Sequence, residues 1–432
     1  MNKYFGTDGF RGQFGTTLLP SHAYYLGRFL GEIAKSNNNQ IVLATDTRQS
    51  GKQLSHAAIC GITSKGTNVT NLGVSTTPSV AYYCKQNQTY GLVITASHNP
   101  HTDNGLKVFT PKGEKANQTL IDQIEAYYQK YLTPKNLAKT QFKMGKGKEQ
   151  HKQPTEYVQS IKDQIKNIST KGVVIDCANG AASALAKQIF PEATIICCNP
   201  NGTNINNNCG STHINNLAQA TKTLKASIGF AFDGDADRCL CVDSKGNIIN
   251  GDSILYLVAK ATQPKVVVGT IMTNEGLAES LNKIGIQLLR SDVGDSNVWQ
   301  QMQKFNSPLG GETSGHIIFK NLATTGDGML TAAMVLKTLN GQKPAKLLKS
   351  CVLFPSCELA IKTPHKNQIK SQIAPTIKNL NQTLLGSGRA LVRASGTEEK
   401  VRVLVEAKTQ KQAVQLATKL QIELQLISDQ QN

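Results

Sequence analysis

Three short β-branched and aliphatic runs recur along the chain: Ile41-Val42-Leu43-Ala44, Val173-Val174-Ile175 and Val266-Val267-Val268. Each is followed, past a stretch of helical character, by a polar loop. The loops are Thr95-Ala96-Ser97-His98-Asn99, Asp233-Gly234-Asp235-Ala236-Asp237 and Gly310-Gly311-Glu312-Thr313-Ser314-Gly315-His316. Continuous apolar runs mark buried strands, and strands alternating with helices build α/β units. In open α/β sheets ligands bind beyond the carboxyl ends of strands, where these loops fall. Towards the C-terminus the rhythm changes. Leu391-Val392-Arg393 and Val401-Arg402-Val403-Leu404-Val405-Glu406 alternate at period two between Gln-, Lys- and Leu-rich helical stretches, which reads as a small α+β unit. The expected division is 1–152, 153–251 and 252–364 for three α/β domains and 365–432 for a smaller fourth.

The 432 residues, at ~150 per domain, suit such a division. No stretch reaches the ~18 uninterrupted apolar residues of a membrane span, and the first residues carry no apolar signal core. A soluble, cytoplasmic protein without a membrane partner is the expectation. Lys and Arg number 47 against 29 Asp and Glu, a net charge of +18. That excess raises nucleic acid as a partner, but the lysines are scattered and no aromatic-interleaved basic stripe occurs. The densest basic segment, Pro134 to Lys152, holds six lysines against one glutamate and reads as a solvated linker. The ten cysteines include no CxxC pair, so neither a zinc ribbon nor a thioredoxin-type site is indicated, and a reducing compartment suits them. Cys239 and Cys241 share one face of an apolar run and read as buried thiols.

Asp233, Asp235 and Asp237 stand two residues apart directly after Ile228-Gly229-Phe230-Ala231-Phe232. Three converging carboxylates repel unless a hard cation neutralises them, and Mg²⁺ takes such oxygens, often with a substrate phosphate. An EF-hand is excluded, because Arg238 occupies the position that needs Gly and Ser244 the one that needs Glu. Ser97 and His98 follow Leu92-Val93-Ile94-Thr95-Ala96. Adjacent Ser and His are not a triad and GxSxG is absent, so a turn serine and a loop histidine stay open as readings. Lys107, in Asp103-Asn104-Gly105-Leu106-Lys107, reads equally as an exposed lysine. Arg393-Ala394-Ser395-Gly396-Thr397-Glu398, with Arg402 beyond, offers hydroxyls, approachable backbone N–H groups and guanidinium forks, as a phosphate monoester requires. Glu312 and Ser314, two apart in a Gly-rich loop, suit either vicinal sugar hydroxyls or a plain polar turn. Phe232-Asp233-Gly234-Asp235 also matches the strand-end DxD of aspartyl-phosphate phosphatases, but Asp237 stands where those enzymes want Thr or Val.

In this order and spacing, the four segments resemble the α-D-phosphohexomutase family, from about Tyr4 to Glu406. Tyr4-Phe5-Gly6-Thr7-Asp8-Gly9-Phe10-Arg11-Gly12, Asn204-Ile205-Asn206, Cys209-Gly210-Ser211-Thr212-His213 and Thr324-Thr325-Gly326-Asp327-Gly328 are similar to its amino-sugar-directed members. The resemblance implies mixed sheets and four domains around a central cleft. It implies a phosphoserine at Ser97 and Mg²⁺ held by Asp233, Asp235 and Asp237 together with that serine's phosphate. It places Arg11, His98, Lys107 and Arg238 around the reacting centre, with Lys107 as acid/base. Glu312 and Ser314 would contact the sugar, while Arg393, Ser395, Gly396, Thr397 and Arg402 would grip the non-reacting phosphate. The implied activity interconverts glucosamine 6-phosphate and glucosamine 1-phosphate through a 1,6-bisphosphate, which also serves as activator, in supply of UDP-N-acetylglucosamine and the cell wall. The alternative is the same chemistry on glucose or mannose phosphates. A homo-oligomer is left open. Three positions depart from the family pattern: Glu399 replaces a usual Pro, Ser296 a common Arg, and Ala394 a larger residue.

Overall fold

The computed structural model describes residues 4–6, 8–37, 40–133, 147–395 and 399–431. The chain divides into two compact units, Met1–Met272 with Leu289–Leu347, and Thr273–Leu288 with Leu348–Asn432. Strands β1 (Phe10–Gln13), β2 (Ile41–Thr45), β3 (Val69–Val74), β4 (Tyr90–Ile94), β5 (Asp103–Phe109) and β6 (Glu149–His151) form a sheet ordered β1-β5-β4-β2-β3-β6. A second sheet, β11-β10-β9-β7-β8, is built from β7 (Val173–Asp176), β8 (Thr194–Ile196), β9 (Ile228–Phe232), β10 (Cys239–Asp243) and β11 (Ile248–Ile249). The third, β13-β12-β14-β15, comprises β12 (Val266–Thr270), β13 (Gln287–Ser291), β14 (Leu309–Gly311) and β15 (Ile317–Phe319).

The sequence repeat is a structural repeat. In each sheet the β-branched run pairs in parallel with the strand leading to the polar loop: Ile41 faces Tyr90, Val173 faces Ile228 and Val267 faces Leu309. That second strand then enters an antiparallel hairpin, β4 with β5, β9 with β10 and β14 with β15. Each polar loop is therefore a hairpin connection at the carboxyl end of a central strand, and the sheets are mixed. Buried on both faces, β2 sends Ile41 and Leu43 into one core with the helices Pro20–Ser36 and Gly51–Thr63. Val42 and Ala44 pack on the opposite side with Val80, Tyr83 and Cys84 of the helix Thr77–Asn87. The first two helices approach so closely that a Cβ on Gly61 would meet the Tyr24 carbonyl oxygen at 2.1 Å.

Of the expected basic linker, residues 134–146 lie outside the described residues. Glu149–His151 instead add a parallel edge strand to β3, with Val69 opposite Glu149 and all three residues exposed. An edge strand pairs through its backbone, so composition alone did not reveal it. In the other unit β16 (Ser356–Lys362), β17 (Gly388–Ala394) and β18 (Lys400–Ala407) form an antiparallel sheet, β16-β18-β17. Val401, Val403 and Val405 alternate into a core with Ile369, Ile373, Leu420 and Leu424 of the helices Lys366–Thr383 and Gln410–Asp429. Its first strand lies ahead of residue 365. Among the described residues no helix is long and apolar enough to cross a membrane.

Candidate active site

Ser97 ends the turn after β4 with a left-handed backbone, φ 54°, and is fully buried. A non-glycine residue there costs conformational energy and persists only where its surroundings enforce it. Its N–H donates to Thr95 Oγ1 at 2.9 Å, and Thr95 Oγ1 donates to Asp46 Oδ2 at 2.6 Å. Arg48 supplies the rest of the enforcement. Its guanidinium pairs with Asp46 at 2.9 Å, with neither side chain exposed. It donates to the carbonyls of Ser97 at 3.0 Å, Asn99 at 2.8 Å and Asp103 at 3.0 Å, and also to that of Pro100. Asn206 adds amide donors to the Ser97 and Asn99 carbonyls at 2.8 and 3.2 Å. Six bonds to backbone carbonyls thus hold one turn.

The β9–β10 connection brings the three aspartates against it. Ala236 takes a left-handed φ of 57°, and its N–H closes the turn on the Asp233 carbonyl at 3.0 Å. Gly234 lies so near that a Cβ there would meet the Ser97 carbonyl oxygen at 2.5 Å, so only glycine allows the approach. Ser97 Oγ donates to Asp233 Oδ2 at 2.5 Å. Thr77 Oγ1 and Lys107 Nζ donate to Asp235 Oδ2 at 2.5 and 2.6 Å, and Lys107 also reaches Asp237 Oδ2 at 3.0 Å. One oxygen from each aspartate lies within 4.8 Å of the others, all three residues being buried. Burial raises the Asp233 pKa, and the carboxylates of Asp237 and Asp235 raise it further. Asp237 is held low against its own burial by Lys107, His316 and Arg238.

These residues fit a hard cation. Asp235 Oδ1 and Asp237 Oδ1 are buried oxygens with no hydrogen-bond donor, beside an Asp233 that its neighbours disfavour as an anion. An oxygen-only set of this kind is what a divalent ion such as Mg²⁺ takes.

Around this centre, His98 Nδ1 lies 3.4 Å from Ser97 Oγ. Burial, then Arg238 and Arg11, lower the His98 pKa to about 4, so the ring is neutral at physiological pH. Lys107, opposite Val93 in β5, is nearly inaccessible; burial disfavours its charge, but Asp235 and Asp237 outweigh that and raise its pKa. Arg11, on β1 beside Gly105, is 3.4 Å from Asp8 and leaves its buried Nε without a bond. Arg238 donates its backbone N–H to Asp233 Oδ1 at 3.1 Å and keeps its side chain one-fifth exposed. The β14–β15 loop joins by Cys239 N–H donating to the Gly315 carbonyl at 2.9 Å. In that loop Glu312 Oε1 accepts from Gly294 N–H at 3.1 Å, and Ser314 Oγ is buried without a partner.

Four family profiles cover the chain, described as phosphoglucomutase/phosphomannomutase α/β/α domains I, II and III and C-terminal domain. They match residues 2–135, 155–246, 250–353 and 358–421 respectively. A phosphoglucosamine mutase of Halalkalibacterium halodurans is 40% identical over 435 residues, covering 95% of each chain. The chain belongs to the phosphohexomutase family. Among solved structures, a phosphoglucomutase/phosphomannomutase family protein from Burkholderia thailandensis superposes with TM-score 0.82 at 25% identity, covering 99% of this chain and 98% of that one. The Aspergillus fumigatus N-acetylphosphoglucosamine mutase, solved with GlcNAc-6P and magnesium, gives TM-score 0.71 at 18% identity, covering 99% of this chain and 96% of that one.

In the C-terminal unit of this phosphohexomutase, Arg393 and Arg402 stand opposite each other on β17 and β18. Glu358 lies between them, 4.0 Å from Arg393 and 3.3 Å from Arg402. Ser395 follows directly, its N–H donating to the Lys400 carbonyl at 2.8 Å and its own carbonyl accepting from Lys366 Nζ at 2.7 Å. Gly396 and Thr397, named for the same phosphate, lie outside the described residues. Sequence reasoning passed over Arg48, named Asn206 only within a family motif, and missed a largely buried chain of charges behind Asp237. There His316 Nδ1 is 3.7 Å from Asp237 Oδ1, and His316 Nε2 is 3.2 Å from Asp295 Oδ2. Asp295 pairs with Lys115, which pairs with Asp8 at 2.9 Å. Asp295 and Asp237 overcome burial and raise the His316 pKa to about 10.

Proposed function

We propose that this phosphohexomutase interconverts glucosamine 6-phosphate and glucosamine 1-phosphate, with Ser97 carrying the phosphoryl group. It is an intramolecular phosphotransferase of the isomerase class, and curated phosphoglucosamine mutases match it over nearly its whole length. The observation that carries the mechanistic reading is Ser97 Oγ at 2.5 Å from Asp233, a hydroxyl set by its own strained backbone against a buried carboxylate triad.

Asp233, Asp235 and Asp237 would hold Mg²⁺, as magnesium accompanies the Aspergillus relative, and the ion would supply charge to the phosphoryl oxygens. Phospho-Ser97 gives its phosphoryl group to the free hydroxyl of the sugar phosphate. The Ser97 Oγ–P bond breaks as the sugar O–P bond forms, leaving a 1,6-bisphosphate. After half a turn of the sugar, Ser97 Oγ takes back the other phosphoryl group. His98, neutral and beside Ser97 Oγ, can accept the proton of the attacking hydroxyl. Lys107 is held as an ammonium and, with Arg238 and Arg11, supplies positive charge where the phosphoryl group passes. Glu312 and Ser314 take sugar hydroxyls or the amine. Arg393, Ser395, Gly396, Thr397 and Arg402 grip the phosphate that is not reacting, with the arginines as two-pronged donors. A bisphosphate sugar re-phosphorylates any Ser97 that has lost its group and so acts as activator. All ten cysteines are free thiols, which suits the cytoplasm as its place.

Steady-state turnover with Mg²⁺ and a hexose 1,6-bisphosphate, compared across glucosamine, glucose and mannose phosphates, tests this reading. kcat/KM highest for the glucosamine phosphate is the expected result. A clear preference for glucose or mannose phosphate would overturn the amino-sugar assignment, and turnover on none of them would overturn the mutase reading.

A further inference from the structure

Away from the aspartate triad, at the carboxyl ends of β7 and β8, the sulfurs of Cys197 and Cys209 and a carboxylate oxygen of Asp176 lie within 4.8 Å of one another. Cys197 is half-buried and reachable, whereas Cys209 is buried. Asn179 Nδ2 reaches Cys209 Sγ at 3.6 Å. The two cysteines are the two feet of one surface loop, and the loop's grip is on the nucleophile. Asn206, three residues before Cys209, donates to the Ser97 and Asn99 carbonyls, and its own N–H bonds the Ala178 carbonyl at 2.8 Å. The loop's crown is exposed and held to the first sheet's side by Gln49 N–H donating to the Gly202 carbonyl at 2.9 Å.

We propose that Cys197 and Cys209 form an oxidisable thiol pair, closed to a disulfide by hydroperoxides, and that closure withdraws Asn206 from the Ser97 turn and lowers turnover. Cys197 Sγ attacks the outer oxygen of the hydroperoxide, the O–O bond breaks, and the thiol proton ends on the departing alkoxide as an alcohol or water. Cys209 Sγ then attacks the sulfur of the resulting sulfenic acid. The S–O bond breaks, an S–S bond forms, and the hydroxide leaves as water with the Cys209 proton. The contact with Cys209, then burial and Asp176, hold Cys197 as the thiol, so Asp176, beside both sulfurs, must take up its proton as the sulfur attacks and return it to the leaving oxygen. The Cys197 thiol leans on the Cys209 sulfur, and that contact favours the Cys209 thiolate, the form needed for the second step. The sulfurs must come together to about 2.05 Å, and the segment carrying Asn206 has to move with Cys209.

The test uses the full chain, reduced and freed of reductant, then exposed to hydrogen peroxide. Mass spectrometry of a tryptic digest should show the peptide 188–222, which carries Cys197, Cys198 and Cys209, lighter by two hydrogens, with fragmentation placing the link between Cys197 and Cys209. Turnover should fall about tenfold or more, as displacement of a positioning contact does, and return with dithiothreitol. Cys197→Ser should begin with ordinary turnover and keep it through the same exposure. Absence of the cross-link, a cross-link that leaves turnover unchanged, or equal loss in Cys197→Ser would each overturn the proposal. So would one equivalent of zinc on the reduced chain that the variant loses, since the thiols would then be metal ligands. The cross-link is read without any substrate, so its outcome stands apart from whether the mutase reading holds.

Discussion

Two clusters of charge in this molecule do opposite things with the same side-chain chemistry. In the first unit Asp233, Asp235, Asp237 and Lys107 are each no more than 3% exposed, and Arg48 with Asp46 has no exposed side-chain surface. In the C-terminal unit Arg402 and Glu358 keep 34% and 40% of their side chains in solvent, and Arg393 keeps 29%. A buried charge is costly to take from water, so it persists only with partners in fixed geometry, and removing one partner strands the other. An ion pair that keeps about a third of its surface in water contributes little to stability, which suits a guanidinium proposed to take a phosphate. Under the proposed function, rigid placement suits the site where bonds would be made and broken, and exchangeable pairing suits the one that would hold the substrate's other phosphate.

Replacing Ser97 breaks the first cluster's chemistry without its fold. Ser97→Ala should unfold as the parent does yet lose at least about a thousandfold in turnover, since no other group stands in the same place. Near-parental turnover would end the phosphoserine reading. Arg48→Met should cost about 3–5 kcal/mol, read in urea unfolding, by leaving Asp46 buried and unpaired. A loss under about 1 kcal/mol would show that the turn around Ser97 is held by something other than this arginine. At the exposed cluster, Arg402→Ala should shift stability by no more than about 1 kcal/mol while raising KM roughly tenfold with kcat largely kept. An unchanged KM would remove Arg402 from the phosphate grip.

A pH-dependent contrast comes from Asp327, a buried acid held by hydrogen bonds, on which the charged His316 has only the weakest influence. Asp327 Oδ1 caps the helix Gly328–Leu339 through Leu330 N–H at 2.9 Å and accepts from Tyr157 Oη at 3.0 Å. Burial raises its pKa from 3.8 to about 7. The folded state therefore holds a proton that the unfolded state releases, and stability from this group falls as pH rises from about 4 to about 7. Asp327→Asn keeps the capping oxygen and removes the titration, so its stability should decline less than the parent's over that window. Parallel curves for the two chains would refute the assignment.

The α/β strands were readable because strands such as β7 and β9 are buried along their whole length, and burial on both faces writes a continuous apolar run. The aspartate triad was readable because three like charges in one turn have few other uses. Arg48 follows β2 at the same strand end as the other loops, yet a single arginine after a turn reads as a surface cation, and only tertiary burial distinguishes it. The chain from Asp237 through His316, Asp295 and Lys115 to Asp8 links residues 21 to 180 positions apart, which no local spacing records. The edge strand Glu149–His151 pairs mainly through its backbone, with one side-chain bond from Asn71 Nδ2 to Glu149 Oε1 at 2.8 Å, and its exposed polar residues leave no apolar pattern. Of the family departures, Ser296 sits beside that chain, with its N–H on Asp295 Oδ1 at 2.8 Å.

The Gly234 approach to the Ser97 carbonyl has a consequence for how such a protein can change. Two hairpins from different sheets meet there with no room for a single added carbon. Neither loop can drift in sequence by itself: a bulkier neighbour on one side demands retreat on the other, and retreat parts the hydroxyl from its carboxylate. The pair must be inherited as one piece, and a chimera that takes its serine turn from one parent and its aspartate turn from another should fold into sound sheets around a silent centre.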